Sequence, residues 1–488
     1  MKSLRLSLVG LAALLLTSCM VGPDYSRPSV PTPVAYKESP PAGEGWKVAQ
    51  PGDHVPRGKW WEIFGDPQLN ALEEQVTLGN QDLKAAEARF RQARAMIGFA
   101  RASEFPTIST GGSVSSVKRS ANAPFLTPQS NVSKTGDFVL SFDLNYELDL
   151  WGRIRRTVTA AREEAQATAA DLQTVQLSLQ AELALDYFEL RSADAQQRLL
   201  DETVKAFTET LQLTVNRFQG GAAPKSDVAQ AQTQLDTTLV QATDIGVQRA
   251  QFEHAIAILI GQPPAAFSLP PAPLHLQPPP IPVGLPSELL ERRPDIAAAE
   301  RRVAEANEQI GIAQAAYYPT VSLGAVAGFE STSAANWLNW PSLLWSVGMS
   351  MSQTLFDAGR RRASSEAALA NYDALVAGYR QTTLTAFQQV EDNLAALRVL
   401  AQETDQQQHA VAAAQEFLEL ATNRYKGGVD TYLQVLTAQT IALANERNAI
   451  DILRRRLDAS VLLIKAIGGG WHVADLPSLA QARRAPDS

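Results

Sequence analysis

The chain of 488 residues has one cysteine, Cys19. That excludes an intrachain disulfide and any cysteine-built metal cage. Its five histidines, His54, His254, His275, His409 and His472, are scattered, with none at metal-ligand spacing. No G-x-S-x-G, P-loop or H-E-x-x-H motif occurs, so the usual nucleophile, phosphate and zinc signatures are missing. The expectation is a non-enzyme without metal or cofactor. Positive charge is also scarce: 43 Lys and Arg against 51 Asp and Glu leave a net charge of −8. Nucleic-acid binders carry basic surfaces, so no nucleic-acid partner is expected. Long hydrophobic runs are absent too. The apolar run at residues 6–16 has 11 residues, where a membrane-spanning helix needs about 20. Any further passage through a bilayer must be made by strands.

The first residues, MKSLRLSLVGLAALLLTSC, combine a basic start (Lys2, Arg5) with that short apolar run, which is the pattern of a secretory signal at 1–18. The small residues before Cys19 resemble a bacterial lipobox, in which the cysteine becomes the lipidated first residue; a plain signal peptide or a short anchor fits the same pattern. Met20 stands where an Asp would favour inner-membrane retention, which points to the outer membrane. Residues 19–60 then read as a lipid-anchored, Pro-rich, extended segment.

Beyond this, the chain repeats itself. NRFQGG (216–221) returns as NRYKGG (423–428), and WGR (151–153) as AGR (358–360), both 207 residues on. DLKAAE (82–87) returns as DIAAAE (295–300), and FPTIS (105–109) as YPTVS (318–322), both 213 residues on. Two copies of one unit are therefore expected, at 61–262 and 287–470. Ten prolines between Pro263 and Pro286 mark 263–286 as an extended linker, and 471–488 reads as a loose tail.

Each copy predicts a helix (70–104; 287–316), two strands around a polar loop (107–117 and 137–150; 320–330 and 344–356), a long helix and a return helix (226–260; 432–467). The long helices are expected over 153–219 and 360–426, since those 67-residue stretches hold no proline and only Gly378. Gly220-Gly221 and Gly427-Gly428 end them. In FVLSFDLNYELDL (138–150), Phe138, Leu140, Phe142 and Leu144 share one face, with Asp143, Asn145 and Glu147 on the other. Trp345, Val347 and Met349 repeat the pattern in the second copy. Such strands suit either a bilayer or a soluble sheet on a core. Four strands do not close a barrel, for which about eight are the minimum; two chains supply eight and three supply twelve.

GLPSELLERRPDIAAAERRVAEANEQIGIAQAAYYPTVSL (284–323) resembles the hallmark of the outer-membrane factors, the TolC-like and OprM-like efflux channels. CMVGPDYSRPSVPTP, WWEIFGDPQLNALEEQ, YELDLWGRIRR, LFDAGRRRA and NRYKGGVDTYLQVLTAQT match it in family order. The resemblance implies a mainly α fold with membrane β: a homotrimer whose 12-stranded barrel, four strands per chain, continues into a periplasmic α-helical barrel. It implies a passive gated conduit in the bacterial outer membrane, served by a periplasmic adaptor and an inner-membrane pump of resistance-nodulation-division type. The named strand residues would then face lipid. The family places its gate on RYKGGVDTYLQVLTAQT, with Tyr425 at a gate position and Leu433 at a constriction. Gln434 and Thr437 stand where aspartates are frequent, which removes a strong acidic ring. Asp227 and Asp430 are the remaining tip acids, and either gating or helix capping accounts for them. Arg217, Gly220, Gly221, Arg424, Gly427 and Gly428 mark the tip turns where an adaptor would dock. A pore-free coiled-coil structural lipoprotein is the competing reading.

Overall fold

The computed structural model describes residues 20–38, 58–118, 134–274, 277–281 and 288–471. The expected signal peptide, the lipidation candidate Cys19 and the expected tail from 472 lie outside these residues. An extended strap (20–38) and a 3-10 turn (Trp60–Phe64) precede the first copy. That copy comprises α1 (Pro67–Gly79), α2 (Gln81–Ala102), β1 (Thr107–Val117), β2 (Thr135–Leu148), α3 (Arg153–Gln219) and α4 (Lys225–Leu259). The second comprises the single turn α5 (Leu289–Arg292), then α6 (Pro294–Ala315), β3 (Thr320–Ser331), β4 (Leu343–Ser352), α7 (Arg360–Lys426) and α8 (Tyr432–Ala466). Among the described residues no helix is long and apolar enough to cross a membrane.

Helices α3 and α7 have 67 residues each, roughly 100 Å at ~1.5 Å per residue. Nothing in their sequences interrupts the hydrogen-bond ladder. Carboxylates start both. Asp149 accepts the backbone N–H groups of Ile154 and Arg155 at 3.0 and 2.9 Å. Asp357 accepts those of Gly359 and Arg361, both at 3.2 Å. Negative charge at a helix N-terminus is favourable. The folding back of these acids also explains why β2 and β4 stop at Leu148 and Ser352, short of where alternation alone would carry them. The core lies where the halves of α3 and α7 nearer the sheet meet α1, α6 and α8, around Leu183, Tyr187, Phe188, Tyr379 and Val390.

The helix expected over 70–104 is broken at Asn80. Its backbone there is extended (φ −62°, ψ 130°). The side-chain oxygen caps α2 by accepting from Leu83 N–H at 3.0 Å, while Nδ2 donates to the carbonyl of Leu259 at 2.8 Å. Arg293, 213 residues later, makes no side-chain cap but forms the matching tie to the return helix: its Nη1 donates to the Ala466 carbonyl at 3.0 Å. Both joints are tight. A Cβ on Gly261 (φ +75°) would lie 2.2 Å from the Gly79 oxygen, and one on Gly468 (φ +98°) 2.0 Å from the Arg292 oxygen. Each return helix thus ends nested against the break in the entry helix of its own copy.

The strands form one antiparallel sheet in the order β1-β2-β3-β4. Its two hairpins are joined through β2 and β3, one from each copy.

Candidate functional site at the sheet and the helix tips

The register decides what the sheet presents. Thr110 is opposite Phe142, Phe142 opposite Ala327, and Ala327 opposite Trp345. Directly paired residues share a face, so one apolar row crosses all four strands. Ile108, Leu144, Ala325 and Val347 form the next row, and Tyr146, Leu323 and Met349 another. Phe138 and Leu140 lie on the same face, opposite Ser331 and Phe329. All seven strand residues singled out from the sequence therefore sit together. The other face carries Ser109, Asp143, Val326 and Ser346 in one row and Glu147, Ser322 and Ser350 in another, polar but for Val326. Trp345, Val347 and Met349 are exposed, Trp345 by 72%. Among the described residues both β1 and β4 are paired on one side only.

At the far end of the long helices the two copies turn alike. Gly221 and Gly428 both have φ +75°, the left-handed conformation that glycine adopts without penalty. Ala222 N–H donates to the Arg217 carbonyl at 2.8 Å, and Val429 N–H to the Arg424 carbonyl at 3.0 Å. These bonds close a Schellman motif on each helix end.

The side chains then diverge. Tyr425 is 2% exposed, packed with Tyr432, Ala231 and Val435. Its ring meets that of Tyr432 edge-on at 5.7 Å, and its hydroxyl donates to Thr214 Oγ1 at 3.4 Å. Arg217 lays its guanidinium over the Tyr425 ring at 4.7 Å and donates to the Lys426 carbonyl at 3.1 Å. Tyr425 thus braces one copy against the other. Phe218, the matching residue of the first copy, is 42% exposed. Arg424, which matches Arg217, turns instead to Asp430, with Nε 2.5 Å from Oδ2. That hydrogen bond, with the charge of Arg424, holds the Asp430 carboxyl below its ordinary value. Burial, then Tyr425 and Asp227, push Tyr432 up to about 12, so its hydroxyl stays protonated.

Neither tip acid is a helix cap. The return helices are capped at Pro224 and Thr431 without side-chain bonds. Asp227 is half-buried in the first turn of α4 beside Ser226. Leu433, Gln434 and Thr437 share one exposed face of α8. The structure thus pairs Arg217 with Tyr425 and, separately, Arg424 with Asp430, and leaves Leu433, Gln434 and Thr437 exposed on α8. Phe218 was missed; its alignment with Tyr425 at an interval of 207 residues was the available clue.

Comparisons with known proteins agree with this geometry. The model of the outer membrane efflux protein family matches residues 72–262 and 285–469. The probable efflux pump outer membrane protein SepC of Pseudomonas putida is 32% identical over 474 residues, covering 96% of this chain and 97% of its own. The pyoverdine export outer membrane protein OpmQ of Pseudomonas aeruginosa is 32% identical over 484 residues, 99% of this chain and 100% of its own. The crystal structure of the Campylobacter jejuni CmeC outer membrane channel superposes with a TM-score of 0.88 at 26% identity, over 95% of this chain and 98% of that one. With both copies matched and the fold shared along nearly the whole chain, this protein belongs to the outer membrane efflux protein family.

Proposed function

We propose that three copies of this chain pool their strands into a 12-stranded barrel in the outer membrane. As a member of its family the chain is an outer-membrane efflux channel. In the proposed assembly the apolar face of the sheet meets lipid and the polar face lines a water-filled pore. The long helices continue it into the periplasm and narrow at the tips. A periplasmic adaptor docks at the Gly-Gly turns with Arg217 and Arg424, and an inner-membrane pump of resistance-nodulation-division type supplies the energy. Lipid on Cys19 fastens the start of the mature chain to the membrane. The protein itself makes and breaks no covalent bond.

One observation carries this reading: an apolar face continuous over four strands whose two edge strands each lack a neighbour among the described residues. In lipid each unpaired backbone group costs several kcal/mol, so a single chain is not a viable spanning unit. A pore-free scaffold has no use for that face. The test is conductance of the purified protein in planar bilayers. Discrete, long-lived current steps are expected; a protein that keeps its β signal and passes no current overturns the channel and favours the scaffold.

A further inference from the structure

The strap at 20–38 crosses helices of both copies, and a buried arginine lies under its start. Arg156 of α3 is 1% exposed. Its Nε donates to the Val21 carbonyl at 2.7 Å and its Nη2 to the Pro23 carbonyl at 3.2 Å, while Nη1 meets Glu308 of α6 at 2.8 Å. Glycines shape the slot. A Cβ on Gly311 would fall 2.3 Å from Arg156 Nε, and one on Gly22 (φ +108°) 2.5 Å from Gly311 Cα. Val21 N–H in turn donates to the Trp151 carbonyl at 3.1 Å, three residues past the end of β2. At its other end the strap is held on α7, where the Lys37 and Glu38 amides donate to the Glu391 carboxylate at 2.7 and 3.0 Å.

Packing alone does not call for an arginine here, since an apolar side chain of similar volume often replaces a buried ion pair without loss. What the planar fork adds is several N–H groups at fixed angles. Two of its three hydrogen bonds go to strap carbonyls, so it grips the strap by its backbone, at a point where Gly22 lets that backbone come close. We propose that Arg156 is a positioning residue for the chain's N-terminal segment, locking residues 21–23 beside the strand–helix boundary so that the chain leaves the protein at the level where the sheet ends. Under the proposed function that level is the periplasmic face of the membrane. The strap then acts as a spacer of fixed length from the membrane surface to Glu391, and the lock holds with or without a lipid on Cys19.

A spin label on Asp24→Cys, in the full chain purified in detergent, tests this in both the Cys19 and Cys19→Ser backgrounds. An immobilised spectrum is expected in both. Arg156→Lys keeps a charge for Glu308 but loses the fork. Gly22→Ala keeps the arginine but puts a methyl 2.5 Å from Gly311 Cα and 3.3 Å from Arg156 Nη2, which lifts the strap off its seat. Each is expected to shift the spectrum to fast motion while helix content and bilayer conductance stay at the wild-type level. An immobile label in either variant overturns the lock, as does a mobile label in the Cys19→Ser parent. Should Arg156→Lys not fold, Gly22→Ala still decides. In bilayers, collision with lipid-soluble and water-soluble relaxants should place the wild-type label at headgroup depth; a label deep in bulk water overturns the positioning at membrane level. Absence of current would count against the channel reading alone, because label mobility is read independently of it.

Discussion

Two arginines in matching places do different work at the tips. Arg217 reaches across to the Tyr425 ring and the end of α7, whereas Arg424 folds back on Asp430. The first copy has Ala223 where the second has Asp430, so only one of the two arginines has an acid to meet. Asp430→Ala combined with Tyr425→Phe is expected to raise single-channel conductance above the resting level, measured in planar bilayers. Because the Asp430 pKa is depressed, its pairing is present above the ordinary carboxylate range and is lost only as pH falls through the lowered value. Resting conductance is therefore expected to stay flat from pH 8 to pH 5 and to rise only below about 4, the usual Asp value. A buried acid behaves oppositely. Glu73 of α1 is fully buried, neither carboxylate oxygen has a partner, and burial raises its pKa well above the ordinary value. The unfolded chain ionises this group above about 4.3, while the native state holds it neutral. Stability contributed by the neutral group is thus complete below that pH and falls as pH rises toward the native value. Glu73→Gln should match the wild-type melting temperature near pH 4 and exceed it progressively toward pH 8; parallel curves would contradict this.

At the scale of the elements, the joints and the sheet faces matter most. Gly221 has a positive φ and open space around it; Gly261 has the same φ with the Gly79 backbone against it. Gly221→Ala should cost about 1–2 kcal/mol, the left-handed penalty of an L-residue. Gly261→Ala should cost clearly more, since two backbones must separate, and chemical denaturation of the two variants compares them directly. On β4, neighbouring residues test the two faces. Val347→Arg places a charge on the apolar face, worth about 2–4 kcal/mol at the midplane of a bilayer. Ser346→Arg points the other way. The first is expected to abolish membrane assembly and the second to preserve it, scored as heat-modifiable migration on gels. Strand identity and facing were legible from 138–150 because alternation is a local property of the chain. The break at Asn80 was not, although Gly79-Asn80 is a stop-and-cap pair. A single Asn inside a helical pattern becomes a boundary only because Leu259 stands opposite to receive it.

For the whole molecule, the edges of β1 and β4, unpaired among the described residues, are what the proposed assembly of three chains would close. Sedimentation in mild detergent is expected to give a mass of three chains, and boiling should collapse the assembly to one. A monomer that retains its β content would remove the basis for a shared barrel. The repeat explains how one chain supplies four strands in a continuous sheet: β2 and β3 come from different copies yet pair over 11 residues. It also explains why the tip is not symmetric, since the duplicated helices carry Phe218 outside and Tyr425 inside.

The amino-acid sequence alone determined the order of strands and long helices, the limits of the two 67-residue helices and the apolar face of β2 and β4. These follow from proline, glycine and periodicity, which act on the chain within a few residues. Only the tertiary structure decided that Arg156 is buried under the strap, that Arg293 ties to Ala466 where Asn80 ties to Leu259, and that Tyr425 braces the tip while its counterpart faces out. Those outcomes depend on what the other copy brings within hydrogen-bonding reach, and no local pattern records a neighbour two hundred residues away.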